Sequence, residues 1–212
     1  MKASTRRMTL TGPAGVIEAA VDEPHGPLRG VAVIAHPHPL FGGTMDNKVV
    51  QTLARAFVQC GWSAVRFNFR GVGGSEGGYD HGQGELQDLL AVVRDQAPDG
   101  ALALAGFSFG AFVTSHAIES LWQQRPLDKL VLVGTAASRF NVAALAPELH
   151  ERTLVVHGEV DDTVPLADVM NWARPQKLPV TVIPGVEHFF HGQLMLLRSL
   201  IVRHLRSDLS AL

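Results

Sequence analysis

The feature that most constrains this chain is the stretch 101–113, which reads A-L-A-L-A-G-F-S-F-G-A-F-V. It begins as an apolar run of strand length, passes through a short glycine–serine turn and continues with residues that suit a buried helix. In so tight a turn the serine backbone is strained, and side chains at Gly106 and Gly110 would collide with the neighbouring strand and helix. The pattern is typical of a nucleophile elbow, which would place Ser108 at the top of a sheet.

Taken alone, this five-residue pattern is weak evidence of catalysis. Glycine and serine are common, and a small-residue turn between a strand and a helix has purely structural uses. The start of the following helix would favour negative charge near Ser108, because its free N–H groups point toward that end. A catalytic interpretation therefore depends on partner residues elsewhere in the chain.

Strand-like runs alternate with helical patterns along the chain, and this alternation predicts an α/β fold. The predicted strands are 8–10, 16–21, 30–35, 63–69, the run before the elbow, 129–134, 153–158 and 180–183. The predicted helices are 49–60, 85–96, the one after the elbow, 166–173 and a closing helix from about 191. We expect a mostly parallel sheet of about eight strands, with helices on both faces, in one domain spanning 1–212. In such sheets the chemistry gathers beyond the carboxyl ends of the strands.

Composition excludes several classes of partner. A net charge of −2 and a pI near 6.5 give no basic balance, so neither nucleic acid nor an anionic membrane is expected as a partner. The lone Cys60 cannot form an internal disulfide, and it is expected to be a small buried apolar residue in a reducing compartment. Arg6 and Arg7 are not followed by the apolar run of an export signal. We predict a cytoplasmic protein, either a monomer or a homodimer.

Three predicted strand ends carry a serine, an acid and a histidine, in that order. Ser108 is followed by Asp161 or Asp162 in E-V-D-D-T-V-P, and then by His188 or His191 in P-G-V-E-H-F-F-H. A serine hydroxyl is a poor nucleophile at neutral pH unless a base takes its proton, and histidine titrates in the right range. A carboxylate on the other ring nitrogen fixes the tautomer and stabilises the imidazolium. Together these residues predict a catalytic triad.

With these motifs the chain resembles the α/β-hydrolase superfamily over nearly its whole length. The matching segments are G-F-S-F-G, H-G-E-V-D-D-T-V-P and G-V-E-H-F-F, with F-N-F-R-G-V-G-G-S similar to the loop after the fourth strand. H-P-H-P-L-F-G-G-T-M-D-N-K-V-V and H-F-F-H look like a group of small, lid-less bacterial α/β-hydrolases similar to dienelactone hydrolases. The resemblance implies an α/β-hydrolase fold without a cap domain. Its D-x-x-V-P pattern implies Asp161 as the acid and His188 as the base.

The resemblance also implies an oxyanion hole made of two backbone N–H groups. One would come from Phe109, the residue after the nucleophile, and the other from the loop after the third strand. In that loop Pro37 and Pro39 have no N–H, which leaves His38, Leu40 or Phe41. Among these three we favour Leu40.

Other features have simpler interpretations. His36 and His38 lack the additional Cys or carboxylate ligands of a metal site, so no metal is expected. The glycine-rich loop 71–78 lacks the lysine of a phosphate-binding loop and is predicted to be a flexible edge of the site. Arg70 is expected to pair with a nearby Asp or Glu. The phenylalanines near these loops either line an acyl pocket or pack in the core; they are Phe41, Phe109, Phe189 and Phe190.

The residue types narrow the chemistry to a serine hydrolase. The nucleophile position holds Ser, whereas haloalkane dehalogenases have Asp and dienelactone hydrolases have Cys. Only about 18 residues separate the strands 129–134 and 153–158, too few for a helical lid. We predict hydrolysis of small or accessible carboxylic esters, with thioesters as a further class and no cofactor. The alternatives are an acylaminoacyl-type peptidase and a non-catalytic binding protein on the same fold.

Overall fold

In the computed structural model, which describes residues 5–207, one eight-stranded sheet runs through the protein in the order β1-β2-β4-β3-β5-β6-β7-β8. The strands are β1 Thr5–Gly12, β2 Gly15–Asp22, β3 Gly30–Ala35, β4 Trp62–Phe67, β5 Leu102–Phe107, β6 Lys129–Val133, β7 Thr153–Gly158 and β8 Val180–Ile183. β1 pairs with β2 and β2 with β4, both antiparallel, and all pairs among β3–β8 are parallel. The carboxyl ends of β3–β8 therefore lie at one edge of the sheet.

Helices cover both faces of this sheet. The helices are α1 Lys48–Gln59, α2 Gln83–Gln96, α3 Phe109–Leu121, α4 Leu166–Ala173 and α5 Leu194–Arg206. Helices α1 and α5 pack together over one apolar core, while α2, α3 and α4 cover the other. Strands buried on both faces read as continuous apolar runs, which is why β5 and β6 contain no exposed residue.

The predicted α/β fold is confirmed, and the differences lie at element ends. Helix α1 begins after Asn47, whose side chain caps the helix by accepting from the Val49 N–H at 2.8 Å. β4 ends at Phe67, earlier than predicted, because the Phe69 N–H donates to the ring of His36 at 3.0 Å. The closing helix begins at Leu194 rather than near 191, since a tight turn comes first.

The edge of the sheet that carries the site is open. Between β6 and β7 the chain forms only one short 3-10 helix, Pro147–Arg152, and no lid. Within residues 5–207, no helix is long and apolar enough to cross a bilayer.

Candidate active site

The turn between β5 and α3 has the strained geometry that the sequence predicts. Ser108 has φ 57° and ψ −118°, a backbone conformation that L residues rarely adopt. A Cβ on Gly106 would lie 2.4 Å from the carbonyl oxygen of Gly110. A Cβ on Gly110 would lie 2.4 Å from the carbonyl oxygen of Ala35 on β3. Only glycine fits at either position, so the backbone has little freedom to move Ser108.

Ser108, His188 and Asp161 meet at the carboxyl edge of the sheet. His188 Nε2 lies 3.0 Å from Ser108 Oγ, and His188 Nδ1 lies 2.6 Å from Asp161 Oδ2. The three residues are buried, with exposed fractions of 7%, 2% and 5% respectively. They follow three different strands, β5, β8 and β7, so the fold assembles the group from distant parts of the chain. The arrangement can remove a proton from Ser108 and hold the resulting imidazolium against a carboxylate.

The structure distinguishes the two neighbouring aspartates. Asp161 Oδ1 accepts hydrogen bonds from the backbone of Thr163 at 3.0 Å and of Val164 at 2.7 Å, which leaves Oδ2 facing His188. Asp162 is exposed, and its carboxylate accepts from the hydroxyl of Thr163 at 3.4 Å. Asp161 is therefore the acid that the fold brings to the site.

The turn that carries His188 is braced by the preceding carboxylate. Glu187 accepts from the backbone N–H groups of Phe189 at 2.8 Å and His191 at 2.6 Å. Although partial burial opposes the shift, the N–H groups of His191 and Phe189 hold the pKa of Glu187 below its usual range. His191, the alternative base, is exposed, and its ring lies 3.0 Å from Glu187 rather than at the serine.

Backbone N–H groups near Ser108 differ in whether they are available. Phe109 is the first residue of α3, so its N–H has no partner within the helix. In the loop after β3, the Leu40 N–H donates to His38 Nδ1 at 3.2 Å, and the Phe41 N–H donates to the His38 carbonyl at 3.1 Å. Among residues 5–207, the His38 N–H donates to no backbone acceptor. The bond from the Leu40 N–H to His38 Nδ1 counts against Leu40, the favoured candidate, as an oxyanion donor, and His38 was one of the other two candidates.

His36 anchors that loop to the rest of the protein. Its Nε2 accepts from the Phe69 N–H at 3.0 Å, and its Nδ1 lies 2.6 Å from the Pro37 carbonyl oxygen. Burial lowers the pKa of His36 to about 4, so the ring is neutral at pH 7. Both ring nitrogens are engaged by the backbone, and in the described part of the chain no three metal-ligating side chains converge.

The phenylalanines divide between core and rim. Phe109 and Phe190 are fully buried, whereas Phe41 is 74% exposed and Phe189 is 41% exposed. The ring of His38 contacts one phenylalanine of each kind: its centroid lies 4.7 Å from that of Phe41 and 4.9 Å from that of Phe109. Phe109 and Phe190 therefore pack in the core, whereas Phe41 and Phe189 lie partly in solvent.

The remaining polar features have structural roles. Arg70 forms a two-point contact with Asp88, at 2.8 and 3.0 Å, as expected for a paired arginine. The glycine-rich loop docks on the hairpin, because the Gly74 N–H donates to Glu18 at 2.8 Å. Cys60 is buried, as predicted.

One residue beside the triad was missed by the sequence reasoning. His157, near the end of β7, is fully buried, and its Nε2 lies 3.5 Å from Asp161 Oδ2. The only signal in the sequence is a single histidine inside the apolar run T-L-V-V-H-G, four positions before Asp161. Such a pattern does not separate a structural histidine from a functional one.

Comparisons with known proteins support the fold and the family of the chain. The model of the Hydrolase_4 family, described as serine aminopeptidase, S33, matches residues 27–154. That range contains Ser108 and ends before Asp161 and His188. A relative described as an uncharacterized protein of Rickettsia prowazekii is 31% identical over 195 residues, covering 85% of this chain and 80% of the relative.

Two solved structures resemble the chain over nearly its whole length. An α/β serine hydrolase without a lid, from Xanthomonas campestris, has a TM-score of 0.86 and 37% identity, covering 97% of this chain and 95% of that one. An α/β serine hydrolase homologue from Coxiella burnetii has a TM-score of 0.82 and 39% identity, covering 94% and 97%. The chain therefore belongs to the S33 serine aminopeptidase family within the α/β-hydrolase superfamily, and it is a serine hydrolase without a lid.

Proposed function

We propose that the protein hydrolyses carboxylic esters through a covalent acyl-enzyme on Ser108. The observation that carries the proposal is the continuous path from Ser108 Oγ through the ring of His188 to Asp161, with contacts of 3.0 and 2.6 Å. Proton transfer from a serine requires a base within hydrogen-bonding distance, and the short contacts and the burial of the three residues meet this requirement.

The reaction proceeds by two acyl transfers. His188 Nε2 takes the Ser108 proton as Oγ attacks the ester carbonyl, and the oxyanion accepts from the N–H groups of Phe109 and His38. Collapse breaks the C–O bond to the alcohol, which leaves with the proton held by His188. Water then attacks the acyl-enzyme, giving its proton to His188, and Ser108 recovers a proton as the acid is released. Asp161 holds the imidazolium in place in both halves.

The surroundings of the triad favour small or accessible esters. No lid covers the site, and the apolar side chains at its rim are open to solvent: Leu40 is 67% exposed, and Phe41 is 74% exposed. An open site with an apolar rim buries short acyl groups or aromatic groups near the surface, and it gives a long lipid chain little enclosure. Thioesters are a second substrate class, since the same triad acts on both.

The family description favours peptide hydrolysis as an alternative. An aminopeptidase must compensate the positive charge of a free α-amino group, usually with a carboxylate. Asp161 is occupied by His188, and the carboxylate of Glu187, the residue before His188, is already bound to N–H groups of its own turn. This engagement makes ester hydrolysis the better supported of the two.

A fluorophosphonate probe and two substrate series test the proposal. We expect labelling of the wild type at Ser108, none of Ser108→Ala, and turnover of p-nitrophenyl esters that is highest for short acyl chains. The neighbouring aspartates give a matched pair: Asp161→Asn should lower kcat by about 10⁴-fold, and Asp162→Asn should leave it nearly unchanged. Cleavage of aminoacyl p-nitroanilides in preference to esters would establish the peptidase instead. A folded wild type that takes no label would exclude both.

A further inference from the structure

His157 is a buried titratable group that the reaction described above does not use. It is the penultimate residue of β7, paired in register with Val182 of β8, and its side chain is fully buried. An imidazole placed where an apolar side chain would pack well must lose its hydration, which costs free energy unless hydrogen bonds replace it. Its contacts therefore indicate what it does.

Those contacts join His157 to both ends of the turn that holds Asp161. His157 Nε2 lies 2.9 Å from the carbonyl oxygen of Val164 and 3.5 Å from Asp161 Oδ2. The N–H of the same Val164 donates to Asp161 Oδ1 at 2.7 Å. The Val164 carbonyl is thus held by His157 and the Val164 N–H by Asp161, so hydrogen bonds close the turn at both ends.

The ring of His157 has one tautomer that fits these partners. A carbonyl oxygen only accepts, so Nε2 carries the hydrogen, and its positive end also faces Asp161 Oδ2. Nδ1 is buried and has no hydrogen-bond partner among the described residues. Burial lowers the pKa of His157, and the titratable groups that face it are Asp161 and His188. A neutral ring with its hydrogen on Nε2 therefore satisfies the Val164 carbonyl.

We propose that His157 is a positioning residue for Asp161: its Nε2–H holds the Val164 carbonyl and faces Oδ2, which keeps that oxygen directed at His188. The inference rests on the proposed function, since it assigns a role within the same triad. The Asp161 carboxylate accepts from Thr163 and Val164 through Oδ1 only, so rotation about its side chain is restrained on the Oδ2 side by the two imidazoles.

Loss of the Nε2 donor should reduce turnover without weakening substrate binding. A displaced Asp161 stabilises the imidazolium of His188 less well in the transition state, and misplacement by about 1 Å can cost about 100-fold. His157 is separated from Ser108 by His188 and Asp161, so KM should stay within about threefold. The acidic limb of the kcat/KM profile should move to lower pH, because His188 loses part of its compensating negative charge.

Three variants separate positioning from packing. The amide nitrogen of His157→Gln can occupy the place of Nε2 and donate to Val164, so this variant should keep kcat within about threefold of the wild type. His157→Phe keeps a ring without a donor, and His157→Asn places its amide near Nδ1 instead, so both should lose about 10- to 100-fold in kcat. Equal losses in all three variants, or a lowered Tm with unchanged kcat and pH profile, would overturn the proposal.

A spectroscopic measurement keeps the test independent of turnover. In ¹⁵N-labelled wild type and His157→Gln, we expect the same downfield proton resonance from His188 Nδ1–H bonded to Asp161. In His157→Asn the resonance should shift or broaden; an unchanged resonance would refute the positioning role. Failure of the wild type to hydrolyse any ester would refute the proposed function, whereas this resonance would still report on Asp161.

Discussion

The elbow at Gly106–Gly110 and the loop 36–43 both surround the reacting atoms, but they are built differently. In the elbow each position is buried, and a Cβ on either glycine would meet backbone atoms. In the loop, His36 is buried and Gly43 is closely packed, while Leu40 and Phe41 extend into solvent. The elbow has no room for a Cβ at either glycine, whereas the loop has a packed base and an exposed tip.

This difference matches the demands of the two tasks. A nucleophile must be placed to within a fraction of an ångström, which requires a backbone constrained from all sides. Selection among substrates needs only side chains that can be exchanged without disturbing the fold. We therefore expect mutational effects to fall steeply from the elbow through the base of the loop to its tip.

Gly110→Ala should have the largest effect. Its Cβ would lie 2.4 Å from the Ala35 carbonyl and 2.5 Å from that of His36, and backbone atoms cannot move aside cheaply. We expect a loss of about 2–3 kcal/mol in the free energy of unfolding and at least about 100-fold in kcat. Urea unfolding and ester hydrolysis measure the two effects. Gly78→Ala, where no atom lies within 4 Å, is the control and should change neither.

His36, buried at the start of the loop 36–43, should make the free energy of unfolding depend on pH. The pKa of His36 is about 4 in the folded protein and 6.5 in an unfolded reference, so as pH falls below 6.5 the unfolded chain binds a proton that the folded chain does not. Stability is thus complete above pH 6.5 and is lost toward pH 4, with about 2 kcal/mol lost from this group between pH 7 and 5.

His36→Gln tests this, because its amide can still accept from Phe69 but does not titrate. Urea unfolding at pH 7 and pH 5 should show a smaller difference in the variant than in the wild type. His204, whose pKa is also lowered to about 4 by burial, supplies part of the remaining slope. An unchanged pH dependence in His36→Gln would show that His36 is not the buried neutral group described above.

The base and the tip of the loop can be compared through adjacent glycines. A Cβ on Gly43 would lie 2.1 Å from the Pro37 carbonyl and 2.6 Å from that of His38, so Gly43→Ala should displace the His38 peptide. We expect kcat to fall by about 10- to 100-fold with a small change in KM. Gly42→Asn is the control, since Gly42 has φ 76° with open space around it and Asn tolerates that conformation. Equal losses in the two variants would mean that the oxyanion N–H does not come from this loop.

Phe41→Ala should have the smallest effect on the fold. Its side chain is 74% exposed, so the free energy of unfolding should change by less than about 0.5 kcal/mol. A ring at the rim contributes to substrate contact, so kcat/KM for aromatic or longer acyl esters should fall by about three- to tenfold, with acetate esters little affected. A uniform loss across the ester series would show that Phe41 supports the site rather than selecting substrates.

Sequence reasoning succeeds where one residue type is required by local geometry. The elbow glycines, the order of serine, acid and histidine, and the doubly buried strands follow from sterics and periodicity. Sequence reasoning fails where a residue's role depends on which of two nearby groups its side chain binds. The presence of an N–H leaves His38, Leu40 and Phe41 as candidate donors, and the sequence does not reveal that the ring of His38 accepts from the Leu40 N–H. His157 was missed because its partner, the Val164 carbonyl, is set by a turn that no propensity describes.

The order of strands in the sheet bears on how the enzyme acquires its activity. β3 pairs with β5 through Val31 and Leu102, and the bond between Ser108 and His188 joins residues 80 positions apart. Contacts between distant parts of a chain form slowly, because the entropy of closing long loops is lost before they contribute stability. Hydrolysis requires the ends of β5, β7 and β8 together, so during refolding we expect helical signal to return first and ester turnover last. The catalytic site is thus a reporter of completed folding.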